Sequence, residues 1–393
     1  MAIPLFTIIL PTRNRAELLR TAIQSVLWQT LPDFELLIYD NASEDSTPEV
    51  VREFEDHRIT YVRAPRWVNP PQQIYEQSFK LARGQFLHTI GDDDALFPHC
   101  LERAKFLVEK HAAQLLCFST KCFYYYPDWI AHNARNSVVC AKFTSSESIL
   151  DSRAELKSLF DLRFSSERHP NVTNSFFRKQ DVEELMAIYG QVLLDEQMGD
   201  ISIAVFLLNL IDRYLLVDEP LQLGGFSGRS NSANQMIFDR PIESLNEEFR
   251  TWFSDKAKME RFLDGVPIKI PFWFNFQTAT MLRQKALLTL PFEINWTNYF
   301  KKMWRAITRL EVKGIDVTSA KLEFFNALGA QPFLCRFPVN AYVKARGTKR
   351  KKIGPPGRKD DQVIRGDQQS FGDILGAAKH WCASRGLSGT FCA

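Results

Sequence analysis

The chain has 393 residues, of which 45% are hydrophobic and 24% charged, and a formal net charge of +3. That length can bury a sizeable core and suits two structural units of a globular protein. The small net charge gives no electrostatic case for a nucleic-acid partner, and no apolar run reaches the ~18 residues of a membrane span.

The start, MAIPLFTIILPTRNR, has no basic leader and no small-residue cleavage site, so it reads as a strand over Leu5 to Leu10 rather than a signal peptide. The loop Pro11, Thr12, Arg13, Asn14 follows. Leu18, Leu19, Ala22, Ile23, Val26 and Leu27 then recur at helical spacing, which predicts an amphipathic helix over 15–29. Phe34 to Tyr39 is the second strand and delivers Asp40 and Asn41 to its end; a helix opens near Ser46 or Thr47. Ile59 to Val62 is a third strand, residues 72–82 a helix, and Gln85 to Ile90 a strand that runs into Asp92, Asp93 and Asp94. Leu115 to Ser119 is another strand. Short strands alternating with helical patterns predict an α/β fold with a mostly parallel sheet.

Three adjacent carboxylates repel one another and Asp is a poor strand and helix former, so folding alone gives little reason for the triplet. In open α/β sheets, ligands bind beyond the carboxyl ends of the strands. The polar clusters at 12–15, 40–41 and 92–94 each follow a strand, which predicts one site built from three loops. Neighbouring aspartates at a strand end supply the partial oxygen shell that Mg²⁺ or Mn²⁺ takes together with substrate phosphates, while an arginine loop and helix N-termini hold a diphosphate. No GxxxxGK[ST] occurs, so the site is not that of a P-loop nucleotidase, and no GxGxxG follows the first strand, which argues against a dinucleotide and leaves a nucleoside diphosphate sugar. The bland alternatives are a solvated turn, Asp94 as a cap of the helix near Pro98, Asp40 as a turn residue, and solvated Arg13 and Arg15.

The run TIILPTRNRAELLRTAIQSVLWQTLPDFELLIYDNASEDST, followed by LARGQFLHTIGDDDALFP, resembles the nucleotide-binding half of the family 2 inverting glycosyltransferases of the GT-A fold. The resemblance implies Asp93 as the metal carboxylate with Asp94 supporting it and Asp92 near the ribose. It also implies uracil or another base near Asp40, and donor contacts from Pro11, Thr12, Arg13 and Asn14; Asn41, beside Asp40 at the same strand end, is a further donor-binding candidate. Asn174-Ser-Phe-Phe-Arg is similar to the family's strand into the acceptor region. Gly199-Asp200-Ile-Ser-Ile-Ala is similar to the helix start that carries the catalytic base, with Gly199 where the family usually has Glu. Asp200 is therefore the base candidate, with Asp195 and Glu196 open, and Asp200 as a plain N-cap of the apolar helix from Ile201 is the bland reading. The absence of QxxRW favours single sugar transfer over polymerisation.

This reading divides the chain into a nucleotide-sugar part over 1–110, an acceptor part over 111–230, and a mainly helical region over 231–393. A sugar nucleotidyltransferase is disfavoured because PTRNR lacks the glycine and lysine of that class, and a catalytically silent binding protein stays open. The loop Ser227-Gly-Arg229 is a candidate cover for the diphosphate, and Ile270-Pro-Phe-Trp-Phe-Asn-Phe reads first as core. Residues 344–359 carry eight basic residues and no acidic one, a solvated linker or an attraction to anionic lipid beside a lipid-linked glycan acceptor. Seven scattered cysteines without a CxxC pair fit a reduced cytosol, giving a cytoplasmic protein, peripheral at most at the inner face of the membrane.

Overall fold

The computed structural model describes residues 3–68, 72–119, 122–129, 134–165, 167–190, 199–229, 256–270, 272–312, 314–346, 362–365 and 373–384. Two compact units emerge, one of residues 1–155, 165–230 and 356–393 and the other of 156–164 and 231–355.

The first unit begins with β1 (Phe6–Thr12), α1 (Ala16–Leu27), β2 (Phe34–Asp40), α2 (Thr47–Arg52), β3 (Ile59–Arg63), α3 (Gln72–Leu81) and β4 (Phe86–Thr89). β5 (Ala95–Leu96), α4 (Cys100–His111), β6 (Leu115–Phe118), β7 (Cys122–Tyr125), β8 (Ser137–Cys140), β9 (Glu147–Asp151) and α5 (Ser152–Phe160) follow. Next come β10 (Ser175–Arg178), α6 (Lys179–Tyr189), α7 (Gly199–Leu210), β11 (Arg213–Val217) and β12 (Gln222–Phe226).

The main sheet has eight strands in the order β3-β2-β1-β4-β10-β6-β11-β9. β3, β2, β1 and β4 are parallel neighbours, β10 runs antiparallel between β4 and β6, and β9 is the antiparallel edge. The expected mostly parallel, helix-flanked sheet is thus present. Strands covered on both faces read as continuous apolar runs, and all seven residues of β2 are buried. α1 sets Leu19, Ala22, Ile23 and Val26 into the same core as Ile8, Leu10, Leu36 and Ile38. α7 is apolar all round, and Ile201 to Leu208 are buried, as such a helix requires.

Two details differ from the sequence reading. Pro11 and Thr12 belong to β1 rather than to a loop, because the parallel ladder continues through Pro11↔Tyr39 and Thr12↔Asp40. Cys122 and Cys140, read as separate thiols, are register partners on antiparallel β7 and β8 and form a disulfide with Cα atoms 4.1 Å apart.

A second sheet orders β13 (Gln362–Arg365), β8, β7, β12 and β5. A last helix, Ile374–Ser384, stacks Trp381 on Phe97 with ring centroids 4.4 Å apart, so residues 362–384 join this unit rather than the helical one.

The second unit is helical, with α8 (Lys256–Phe262), α9 (Trp273–Leu288), α10 (Trp296–Val312), α11 (Thr318–Gly329) and α12 (Phe333–Arg346). Phe272 and Phe276 are buried, in line with the core reading of the aromatic run. α10 buries Tyr299, Phe300, Met303, Trp304 and Ile307, an apolar stripe at helical spacing. No helix among the described residues is long and apolar enough to cross a membrane.

Candidate functional site

The ladder aligns the ends of three strands: Thr12 pairs with Asp40, and Asp40 with Arg63. The aspartate triplet follows β4 on the same edge, and Thr12 Oγ1 donates to Asp92 Oδ2 at 2.9 Å. Three loops far apart in sequence therefore meet, as the alternation of strands and helices predicts.

Each aspartate has a different environment. Asp92 is ion-paired to Arg15, whose Nη1 lies 2.8 Å from Oδ1, and Arg15 Nη2 donates to the Arg229 carbonyl at 2.6 Å. Arg15 thus ties the β1 loop to the 227–229 segment. Asp93 is 7% exposed; Ser227 Oγ donates to its Oδ2 at 3.0 Å, and Tyr126 Oη donates to its backbone carbonyl at 3.1 Å. Asp94 accepts from Gly91 N at 2.8 Å, Gln222 Nε2 at 2.7 Å and Gly225 N at 2.8 Å, so both of its oxygens are engaged. It does not cap α4, whose N-cap residue is His99.

Burial pushes the carboxyls of Asp93 and Asp94 above the usual range, and the neighbouring carboxylates push Asp93 further. A buried carboxylate cluster with that bias favours a cation. Asp93 Oδ1 accepts no hydrogen bond among the described residues, and no three His, Cys, Asp or Glu side chains there converge on a metal cage. These residues fit a divalent ion that takes one protein oxygen and draws its other ligands from phosphate and water.

Asp40 is fully buried: Ser43 N donates to Oδ1 at 2.8 Å, Tyr61 Oη to Oδ2 at 2.7 Å, and Arg63 Nε lies 3.4 Å from Oδ2. Its carboxylate organises this corner and presents Arg63, which is half-exposed. Asn41 exchanges two hydrogen bonds with the backbone of Val68, at 2.9 and 2.8 Å. Arg13 Nη1 donates to the carbonyls of Asn41 and Ala42, and its guanidinium lies 4.7 Å from the Trp67 ring centroid. Asn14 and Ala42 have φ of 52° and 56°, a left-handed conformation Asn tolerates and Ala resists. The turn is held because Asn14 N donates to Ser43 Oγ and Glu44 N to Asn14 Oδ1. Strain so fixed is common beside binding sites.

Asp200 lies in the first turn of α7, and Asp195 and Glu196 fall outside the described residues. Sequence reasoning missed Gln222, Gly225, Tyr126 and Trp67; only the GG pair of QLGGF signalled a close backbone approach. It also missed His88, wholly buried in β4, whose Nδ1 lies 3.0 Å from the Ser175 carbonyl and whose Nε2 lies 3.3 Å from Gln222 Oε1.

A family model described as Glycosyl transferase family 2 matches residues 7–186, which spans β1 to α6 and includes all three strand-end loops. Over those residues, a little under half of the chain, the sequence is similar to glycosyl transferase family 2. The chain is 33% identical over 100 residues to the GalNAc(5)-diNAcBac-PP-undecaprenol beta-1,3-glucosyltransferase of Campylobacter jejuni, covering 25% of the chain and 32% of that protein. It is 34% identical over 100 residues to the PGL/p-HBAD biosynthesis glycosyltransferase of Mycobacterium tuberculosis, covering 25% and 38%. The chain thus spans about a third of the length of these two relatives. Among solved structures, S. aureus TarS 1-349 in complex with UDP-GlcNAc aligns with a TM-score of 0.47 at 14% identity, covering 92% of the chain and 99% of that structure.

Proposed function

We propose that this chain is a metal-dependent inverting glycosyltransferase. It moves a sugar from a nucleoside diphosphate sugar, a UDP-sugar first of all, to a hydroxyl of a carbohydrate or lipid-linked glycan in surface polysaccharide or glycoconjugate synthesis. The observation that carries the reading is Asp93: a buried carboxylate with one oxygen uncommitted among the described residues, inside the segment similar to family 2, beside the Arg15–Asp92 pair.

In this reading Asp92, oriented by Thr12 and Arg15, accepts from the ribose. Asp40 serves the base side through Arg63 and Tyr61, which it holds. Pro11, Thr12, Arg13, Asn14 and Asn41 shape the donor cradle. Asp94, clamped by β12, fixes the loop on which Asp93 stands and supports the metal through that loop. Bound Mg²⁺ or Mn²⁺ supplies charge neutralisation for the departing diphosphate. On the acceptor side Asp200 takes the hydroxyl proton as the sugar carbon is attacked from the opposite face, with Asp195 and Glu196 as its alternatives, so no covalent enzyme intermediate forms. The lipid-linked substrate in the Campylobacter relative's name supports a lipid-linked acceptor here.

The same reading has the protein work in the cytoplasm, touching the anionic inner face of the membrane. Phe333, Leu334 and Phe337 at the start of α12 are 64%, 85% and 65% exposed, and the basic run opens at Lys344 near the end of that helix. Residues 347–361, most of that run, lie outside the described residues.

Incubation with a panel of labelled nucleotide sugars, with and without Mn²⁺ and with released nucleotide as the readout, tests the activity. Metal-dependent release from one donor supports it. Release from none, with tight nucleotide binding, would leave a binding protein; pyrophosphate release from sugar phosphate and nucleoside triphosphate would leave a nucleotidyltransferase.

A further inference from the structure

The helical unit contains a cavity of about 330 Å³ that the transferase reading does not use. One wall is a single face of α10, where Asn298, Lys301, Lys302 and Arg305 stand at helical spacing. The other is the segment after α5, which contributes Arg163 with Leu162 and Phe164.

Four cationic side chains line this cavity and no carboxylate does. Elsewhere in the unit half-buried lysines find acids, as in Lys285–Glu293 and Lys321–Glu311. Here Arg163, Lys301 and Lys302 form no ion pair among the described residues, and Arg305 Nε donates to the neutral Tyr342 hydroxyl. Burial, helped by the Arg305 charge, lowers the Lys302 pKa, as expected of an ammonium held without a counter-ion.

The geometry is fixed on both sides. Leu162 adopts a left-handed φ of 56°, with its N–H on the Leu159 carbonyl and Arg163 N–H on that of Ser158, and this turn brings Arg163 to the cavity. Asn298 Nδ2 donates to the Asp161 carbonyl at 2.8 Å, pinning that turn to α10. A left-handed leucine and clustered like charges both disfavour folding, and such local conflicts concentrate at functional sites.

We propose that this cavity binds a phosphate or pyrophosphate group, with Arg163, Lys301, Lys302 and Arg305 as its donors and Leu162 and Phe164 beside an apolar part of the ligand. Two guanidinium forks and two ammonium groups match several phosphoryl oxygens, whereas a single carboxylate would leave most of the charge uncompensated. At roughly 30 Å³ per water molecule the cavity has room for a pyrophosphate and some solvent. The inference does not rest on the transferase reading.

The test is calorimetric titration of the full chain with inorganic pyrophosphate in EDTA, beside sedimentation with phosphatidylcholine vesicles containing phosphatidic acid. Wild type and Asp93→Ala should bind at least one probe equally well, and affinity should fall with salt. Lys302→Gln/Arg305→Gln, and separately the exposed Arg163→Gln, should bind at least about tenfold more weakly, the scale of losing a charged hydrogen bond. Without anion, the double variant should melt no lower than wild type. Pyrophosphate binding alone points to a soluble phosphate ligand, and vesicle binding lost in these variants points to a lipid headgroup. No binding of either probe by wild type, or undiminished binding in both variants, would overturn the proposal.

Discussion

A methyl group on Gly225 would lie 1.7 Å from the backbone carbonyl oxygen of Asp93. β12 therefore packs directly on the aspartate loop, and only glycine permits it. Gly225→Ala should force the strands apart and break the Gly225 N–Asp94 hydrogen bond, costing about 2 kcal/mol or more of stability together with donor affinity. Gly224→Ala meets the edge of the Phe123 ring at 2.9 Å, a side chain able to shift, and should cost less. Chemical denaturation of both variants checks the order; equal effects would contradict it.

His88 gives the fold a pH response. Burial lowers its pKa from the usual 6.5 to about 4. The unfolded imidazole takes a proton below about 6.5, the folded one only near 4, so the contribution of His88 to stability falls as pH drops through that window and is constant above it, while the raised carboxyls of Asp93 and Asp94 act in the opposite sense. The loss is on the order of 3 kcal/mol by pH 4. Denaturation midpoints of wild type and His88→Gln should converge as pH falls from 7 to 4, and a constant gap between them would show that His88 does not titrate in this way.

The aspartate triplet was legible because an apolar run of strand length ended on it, and the helical spacing of Leu19, Ile23 and Val26 fixed the first βα unit. Parallel pairing then places Thr12 beside Asp40 without further information. What clamps Asp94 was not legible: Gln222 and Gly225 come from a strand about 130 residues away, and pairing over that distance leaves no periodic signal. The Cys122–Cys140 bond was hidden for the same reason, since an 18-residue separation matches no motif. The resemblance implies a base near Asp40, but nothing in the sequence indicates that its carboxylate is fully buried and engaged by Tyr61 and Arg63.

Asp200→Asn separates capping from catalysis, because Asn caps a helix about as well as Asp but cannot accept a proton as a base. As the base, Asp200 should lose ~10²-fold or more in transfer on this change, with melting temperature and donor affinity retained. A silent variant would move the assignment to Asp195 or Glu196.

Membrane contact through α12 predicts that Phe333→Ser/Leu334→Ser/Phe337→Ser weakens sedimentation with anionic vesicles while the fold persists, since all three side chains are mostly exposed. Each buried CH₂ is worth about 0.8 kcal/mol in such contacts. Unchanged sedimentation would remove these residues from the interface.

Calorimetric titration of wild type and Asp93→Ala with UDP and its sugar conjugates, with and without Mn²⁺, decides whether Asp93 holds the donor diphosphate through a divalent ion. Wild type should bind one of them only when Mn²⁺ is present, and Asp93→Ala, still folded, should lose that dependence along with at least about tenfold in affinity. Equal metal-dependent affinity in the two proteins would contradict it.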